Sequence, residues 1–380
     1  MEFTPTAEHR RMRETVADFV DREVVPQAAE IDAADEFPAD LVDEMADLGL
    51  MGMPFPDEYG GAGLDTHAYA DCLAEIARGS GSLGTVVAAH TSLAAAMVAD
   101  YGTEAQKRDY LVPLNEGVDV GAFALSEAGA GSDVGAMTTT ATRDGDDYVL
   151  DGGKLWTSNG SVADTVIAFA KTDPDAGNEG ITAFVLRPPE DDGVVVAGTE
   201  DKLGDRGCPA AELRFDAVRL PADRRLGDEG EGFGQALRTL NGGRISIAAR
   251  SVGIARAARD AAVDYAGERE QFDRPIGEFQ AIKHKLADMD TKVQAAHLLM
   301  HRAADLKEAG DSYVKEAAQA KLYASEVSRE VANEAIQVHG GVGYTTDFPV
   351  ERYFRDAKLN EIYEGTSEIL RNTIGDRLLD

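Results

Sequence analysis

Three segments of this 380-residue chain carry residue types that a plain scaffold does not need. The first is Glu361-Ile362-Tyr363-Glu364-Gly365-Thr366-Ser367-Glu368. Thr366 suits the N-cap of a last helix, and Glu368 is favourable in that helix's first turn. Glu364 then precedes the helix and is followed by a flexible glycine. A carboxylate walled by apolar groups has its pKa raised toward useful base strength. Taken alone, a surface glutamate is the default reading. The second segment is Ala124-Leu125-Ser126-Glu127-Ala128-Gly129-Ala130-Gly131-Ser132-Asp133. Its small residues let a ligand approach the backbone, and Ser126 and Ser132 can orient a polar group. The third, Lys154-Leu155-Trp156-Thr157-Ser158-Asn159-Gly160, holds the only tryptophan. A flat aromatic beside two hydroxyls can pack on a ring system and hydrogen-bond its edge, or it can be a core tryptophan in a strand.

Two further patterns read as decoys. Gly79-Ser80-Gly81-Ser82-Leu83-Gly84 matches GxGxxG, but a dinucleotide site needs a strand before it and a helix opening on it. Here a helical stretch, residues 69–78, precedes it, so the segment reads as a helix connection. His297 and His301 are spaced i, i+4, yet Leu298 stands where a zinc protease needs glutamate and no third ligand cluster is evident. No metal is expected.

The elements that must position these residues change texture twice. Residues 8–33, 38–48, 67–77, 92–101 and 104–115 show helical apolar spacing between Gly/Pro breaks. From about residue 118 the period shortens. Residues 137–143 and 148–150 flank Asp144-Gly145-Asp146, a hairpin signal, and short strands are expected at 165–171, 181–186, 194–197 and 211–215. After Pro221 the helical pattern returns. Ile282, Leu286, Met289, Val293, Ala296 and Met300 form the seam of a bundle helix, and residues 315–339 form a second long one, ending at Gly340-Gly341. The expected domains are 1–117 (helical), 118–226 (β) and 227–380 (helical bundle).

With 69 acidic against 37 basic residues the net charge is −32. That sign argues against nucleic acid and against an anionic membrane surface. Acidic residues spread along the whole chain suggest a solvated surface suited to high salt, where screening relieves self-repulsion. Two cysteines, Cys72 and Cys208, are too few for a disulfide framework and fit a reducing compartment. Residues 1–20 lack the apolar core of a signal peptide, and no run of about 18 apolar residues is evident. A cytoplasmic location and no membrane span are therefore expected.

Jointly the motifs resemble the acyl-CoA dehydrogenase family along nearly the whole chain. ALSEAGAGSD, KLWTSNG, ERYFRDAK (from Glu351) and IYEGTSEI (from Ile362) fall in the family's order and spacing. Residues 337–344 (QVHGGVGY), 268–272 (EREQF) and Phe279-Gln280 match as well. Arg244-Ile245-Ser246-Ile247-Ala248 and Lys315-Glu316-Ala317-Ala318 look nearest to the short-chain, butyryl-type branch. The resemblance implies an α+β, mainly α fold: an N-terminal helical domain, a middle β-barrel and a C-terminal four-helix bundle. It implies FAD, an acyl-CoA substrate, an electron-transfer flavoprotein as acceptor, and a homotetramer built as a dimer of dimers.

By the same resemblance, Glu364 takes the α-proton while the β-hydrogen leaves as hydride to flavin N5, giving a trans-2-enoyl-CoA. The Glu364 N–H and a flavin hydroxyl would polarise the thioester carbonyl. Ala124, Leu125, Ser126, Gly131, Ser132, Trp156, Thr157 and Ser158 would hold the flavin ring, with Ser158 in a place usually held by threonine. Arg269, Phe272 and Gln280 would contact the FAD diphosphate and adenosine, Gln337, Gly340 and Gly341 would reach it from a partner subunit, and Thr366 and Glu368 would also touch FAD. Ser132, Asn241, Arg244 and Gly365 resemble substrate or CoA contacts. Ala128 replaces a usual proline, and Asn241 stands where the short-chain branch often has aspartate. Gly243 fills the position from which isovaleryl- and long-chain-type members supply their base. Residues 79–106 contain no arginine, so the group that grips a glutaryl carboxylate is missing. The competing readings are an acyl-CoA or nitroalkane oxidase and a non-catalytic flavin-bearing scaffold; the retained Glu364 argues against the nitroalkane type and the scaffold.

Overall fold

The computed structural model describes residues 6–379. The signal-peptide expectation, drawn from residues 1–20, lies partly outside them. Helices α1 (Ala7–Phe19) and α2 (Val25–Ala34) run on through a π-turn at Val20–Val24, followed by α3 (Ala39–Asp47) and α4 (Thr66–Gly79). Gly79 closes α4, and the Ser80 hydroxyl accepts from Leu83 N (3.4 Å) to cap the next helix. The GxGxxG segment joins two helices with no strand before it, but the connection is Ser80 alone and Gly81–Gly84 already belong to the second helix.

That next helix, Gly81–Tyr101, comprises α5 (Gly81–Val87), a π-helical stretch (Ala88–Ala95) and α6 (Ala96–Tyr101). It corrects two expectations. The helix begins well before residue 92, and it is long and apolar enough to cross a bilayer. Its most apolar window is 83% buried inside the protein, so it reads as a core helix instead of a span. Helices α7 (Glu104–Gln106) and α8 (Val112–Asn115) close the first helical unit.

Eight strands follow in one sheet: β1 (Gly121–Ala124), β2 (Thr140–Asp144), β3 (Asp147–Ser158), β4 (Thr165–Lys171), β5 (Ile181–Leu186), β6 (Val194–Thr199), β7 (Ala210–Pro221) and β8 (Arg225–Leu226). Their order is β6-β7-β3-β2-β4-β5-β8, with β1 parallel to β4, and the end strands β6 and β8 do not pair with each other. The hairpin turns at Gly145, whose φ of 68° only glycine adopts cheaply. Both faces of β4 are buried: Ile167 and Phe169 pack on Met97 and Leu111 of the helical unit, while Val166 and Ala168 join Tyr148, Phe184 and Phe215 inside the sheet. Hence β4 reads as a continuous apolar run without alternation. His90 ties the units together: its Nδ1 accepts from Gly121 N (2.9 Å) and its Nε2 donates to the Leu114 carbonyl (3.0 Å).

The remaining helices are α9 (Gly232–Glu268), α10 (Gln280–Glu308), α11 (Val314–His339), α12 (Val350–Leu359) and α13 (Ser367–Leu379). Helix α9 has 37 residues, about 55 Å at 1.5 Å each. Its middle, from Gly243 to Ala255, is buried on all sides. The expected seam of α10 is inside, with Met289, Val293, Ala296 and Met300 fully buried. One hydrophobic cluster runs from Val16 and Met45 through Ile247 and Val252 to Met300 and Val338, so the N-terminal helices and the bundle share a core.

Candidate active site

Glu364 lies in the loop between α12 and α13, and that loop is fastened from several sides. Lys321 of α11 donates to the Gly365 carbonyl (2.6 Å), and Ser325 donates to the Asn360 carbonyl (2.9 Å). Ser367 N closes back on the Glu361 carbonyl (3.0 Å), and Thr366 caps α13 through Ile369 N (3.3 Å), as its sequence position suggested. Held this way, Glu364 takes a left-handed backbone (φ 52°), which costs a non-glycine residue about 1–2 kcal/mol. The strain turns its side chain onto the middle of α9. There Gly243 has no side chain: a Cβ at that position would lie 2.3 Å from Glu364 Oε2 and 2.9 Å from Leu93 Cδ2.

The carboxylate is therefore seated against α9, and its Oε2 is cut off from solvent with no hydrogen-bond partner among the described residues. Burial pushes the Glu364 pKa up to about 7, against the opposing pull of Lys321 and Arg244. A buried anion without a bonded partner is poorly solvated and so a stronger base. The N–H groups of Glu364 and Gly365 donate to none of the described residues.

Glu364 lines a cavity of about 650 Å³, walled by Leu93, Leu125, Trp156, Leu240, Ile247 and Ile362 among others. Its opposite wall is built from the two other chemistry-bearing segments, which are bonded to each other. Leu155 N donates to the Ser126 carbonyl (2.9 Å). Glu127 and Lys154 form a buried ion pair (2.7 Å), and Glu127 also accepts from Thr138 N (2.6 Å) and Thr139 N (3.1 Å). This clasp fixes the loop from Leu125 to Ser132. Trp156 sits at an irregularity in the β3–β7 register with φ 56° and is 56% exposed. The core-tryptophan reading is excluded.

Of the residues singled out in sequence, Leu125, Ser126, Gly131, Ser132, Trp156, Ser158, Arg244, Gly365 and Thr366 share the cavity with Glu364. Asn241 orients Arg244, accepting its Nη1 (2.7 Å). Ala124 in β1 and Thr157 in β3 are both buried, and neither lines the cavity. Glu368 faces outward on α13. Arg269, Phe272, Gln280, Gln337, Gly340 and Gly341 are also away from it, exposed at one end of the bundle where Tyr265 stacks on His339 (4.3 Å).

Sequence reasoning missed Arg250, which is fully buried beneath the Glu364 loop. Its guanidinium bonds the Gly81 carbonyl (3.0 Å), Asp205 (2.5 Å) and Asn360, joining all three units under the base. Asp356 completes the network by accepting from Asp205 N (2.6 Å). An arginine in an alanine-rich helix carries no local sign of this role. Glu127 and Lys154 stood inside quoted motifs, but nothing local pairs them.

The arrangement suits proton abstraction from carbon beside a carbonyl: a desolvated base, unengaged N–H groups at the same loop, and an apolar chamber. Comparison with known proteins agrees on the type. The chain matches the family descriptions "Acyl-CoA dehydrogenase, N-terminal domain" over residues 6–118, "middle domain" over 122–218 and "C-terminal domain" over 230–379. It is 44% identical over 378 residues to the short-chain specific acyl-CoA dehydrogenase of Clostridium acetobutylicum, covering 100% of both chains. Among solved structures it is similar to butyryl-CoA dehydrogenase from Megasphaera elsdenii, at 41% identity, TM-score 0.98 and full coverage of both chains. A chain from work on the electron transferring flavoprotein of Acidaminococcus fermentans matches at 43% identity and TM-score 0.98, again with full coverage of both.

Proposed function

This chain belongs to the acyl-CoA dehydrogenase family, and from that premise we propose that it oxidises a short- or medium-chain acyl-CoA to the trans-2-enoyl-CoA, with FAD as cofactor. The observation that carries the reading is Glu364: a carboxylate with its pKa raised to about 7, facing the same cavity as Trp156 and Ser158. The residues present fit a flavin. Trp156 leaves an aromatic face uncovered, and the hydroxyls of Ser126, Ser132 and Ser158 line the cavity without a hydrogen bond to any described residue. FAD, when bound there, supplies the acceptor for the β-hydride.

The chain's own residues do the rest. Glu364 Oε2 accepts the α-proton, and leaving it unsolvated raises its basicity. The Glu364 N–H is available to hold the thioester oxygen as negative charge develops on it. Lys321, together with Arg244 that Asn241 orients, supplies positive charge that keeps Glu364 titrating near neutrality instead of higher. The apolar walls exclude water from the reacting carbons. Anaerobic mixing of the yellow protein with acyl-CoAs of four to sixteen carbons tests this: flavin bleaching fastest at a short chain is expected, and no bleaching by any acyl-CoA sinks the reading.

We further propose an electron-transfer flavoprotein as the acceptor, supported by the Acidaminococcus relative. A homotetramer is proposed because Phe272 (86% exposed) and Tyr344 (89%) leave apolar surface at the bundle end that a second copy would cover, with Arg269, Gln280 and Gln337–Gly341 at the shared edge; analytical ultracentrifugation reads it. The net charge of −32 supports a salt-adapted protein, and two buried free cysteines support a reducing cytoplasm.

A further inference from the structure

The expectation that His297 and His301 have no further ligands does not survive the fold. On α10 both rings turn toward α4 and meet Asp71, with His297 Nε2 at 2.9 Å and His301 Nε2 at 3.1 Å from the same Oδ1. The two Nε2 atoms are themselves 2.9 Å apart. Behind them His301 Nδ1 contacts His67 Nδ1 (2.7 Å), and His67 Nε2 contacts Asp305 (3.0 Å). Three atoms of metal-ligating type thus form a triangle, backed by a hydrogen-bonded chain to a carboxylate.

Protons alone satisfy this triangle poorly. If both Nε2 atoms carry hydrogen for Asp71, two N–H donors face each other at 2.9 Å. If one is bare, it can accept from the other ring's N–H, but its lone pair also faces the carboxylate oxygen. A cation at the centre turns each of these repulsions into an attraction. In a tetrahedral site with bonds of about 2.0–2.1 Å, ligand atoms stand about 3.3 Å apart, so the triangle needs to open by only a few tenths of an ångström. Arg256, close by, is paired with Glu75 (3.6 Å), which limits its repulsion of a cation.

We propose that Asp71, His297 and His301 bind a divalent transition-metal ion of the zinc class, with His67 and Asp305 as the outer chain that orients His301, and that the ion staples α4 to α10. Two imidazoles and a carboxylate with an open position suit zinc or cobalt far better than magnesium or calcium.

The test uses the FAD-loaded protein, stripped with a chelator and titrated with Co²⁺, then Zn²⁺, beside the variants Asp71→Asn, His297→Gln and His67→Phe. One Co²⁺ per chain should give ligand-field bands, read as a difference from the flavin spectrum, and Zn²⁺ should abolish them. Asp71→Asn and His297→Gln should each weaken binding at least tenfold, and His67→Phe by about 10- to 100-fold. Zn²⁺ should raise the melting temperature of the parent and not of His297→Gln, which also serves if Asp71→Asn fails to fold. Sub-stoichiometric binding, or equal binding by parent and His297→Gln, overturns the site. Binding without a rise in melting temperature overturns the staple.

Discussion

Gly243→Ala isolates the seating of the base from everything else in the cavity. The added methyl lies 2.3 Å from Glu364 Oε2, and ordinary contact begins near 3.4 Å, so the carboxylate must retreat by about 1 Å. A misplacement of that size in a reacting group costs on the order of 100-fold in rate, or about 2.7 kcal/mol of barrier. Helix propensity works the other way, since alanine is favoured over glycine in a helix interior by about 1 kcal/mol. Leu93 Cδ2, 2.9 Å from the same methyl, takes back part of that gain. The expected variant is thus folded, flavin-loaded and about as stable as the parent, yet slow. Stopped-flow reduction of the flavin by butyryl-CoA under anaerobic conditions reads the rate, and a thermal melt reads the stability. Combining it with Glu364→Asp, one methylene shorter, should cost less than the sum of the two changes, because the shorter side chain relieves the overlap. A Gly243→Ala rate constant within threefold of the parent would refute the placement of the base against α9.

Glu364→Gln should retain FAD and lose flavin reduction by acyl-CoA. Its stability has a sign: the folded carboxyl has its pKa raised from 4.5 to about 7, so the folded state holds the extra proton and the wild type loses stability as pH rises through that window. The glutamine variant should match the parent near pH 4.5 and exceed it by up to roughly 3 kcal/mol above pH 7, as read by denaturant melts; an advantage at low pH instead would show the carboxylate to be solvated. The parent's flavin-reduction rate should rise with pH and level off above about 7, and a flat profile would reassign the base. Lys154→Met strands the Glu127 charge in the interior, so a loss of about 3–5 kcal/mol and weaker FAD retention are expected from melts and cofactor titration. In dilute buffer the protein should melt at lower temperature than in molar salt; equal melts would remove the salt-adapted reading.

What was legible in the sequence is what short-range physics controls. The β–turn–β at Asp144-Gly145-Asp146, the seam from Met289 to Met300, the Thr366 cap and the break at Gly79-Ser80 follow from dihedral limits, periodicity and capping chemistry within a few residues. The helix from Gly81 was missed before residue 92 because Gly, Ser and Thr read as a loop. Packing reverses that, since small residues let α4, α5 and α9 approach so closely that a Cβ on Gly253 would lie 2.2 Å from the Ala74 carbonyl. Gly243 lies inside a 37-residue helix, where the missing side chain leaves the space that the Glu364 carboxylate fills. Motif order identified the segments of the site, including Glu364, but no local pattern could place its carboxylate on Gly243, expose Trp156, pair Glu127 with Lys154 or carry Asp71 to the two histidines. Those contacts join residues far apart in the chain. Their positions are set by how whole helices and strands pack, and only the assembled tertiary structure decides which side chains meet.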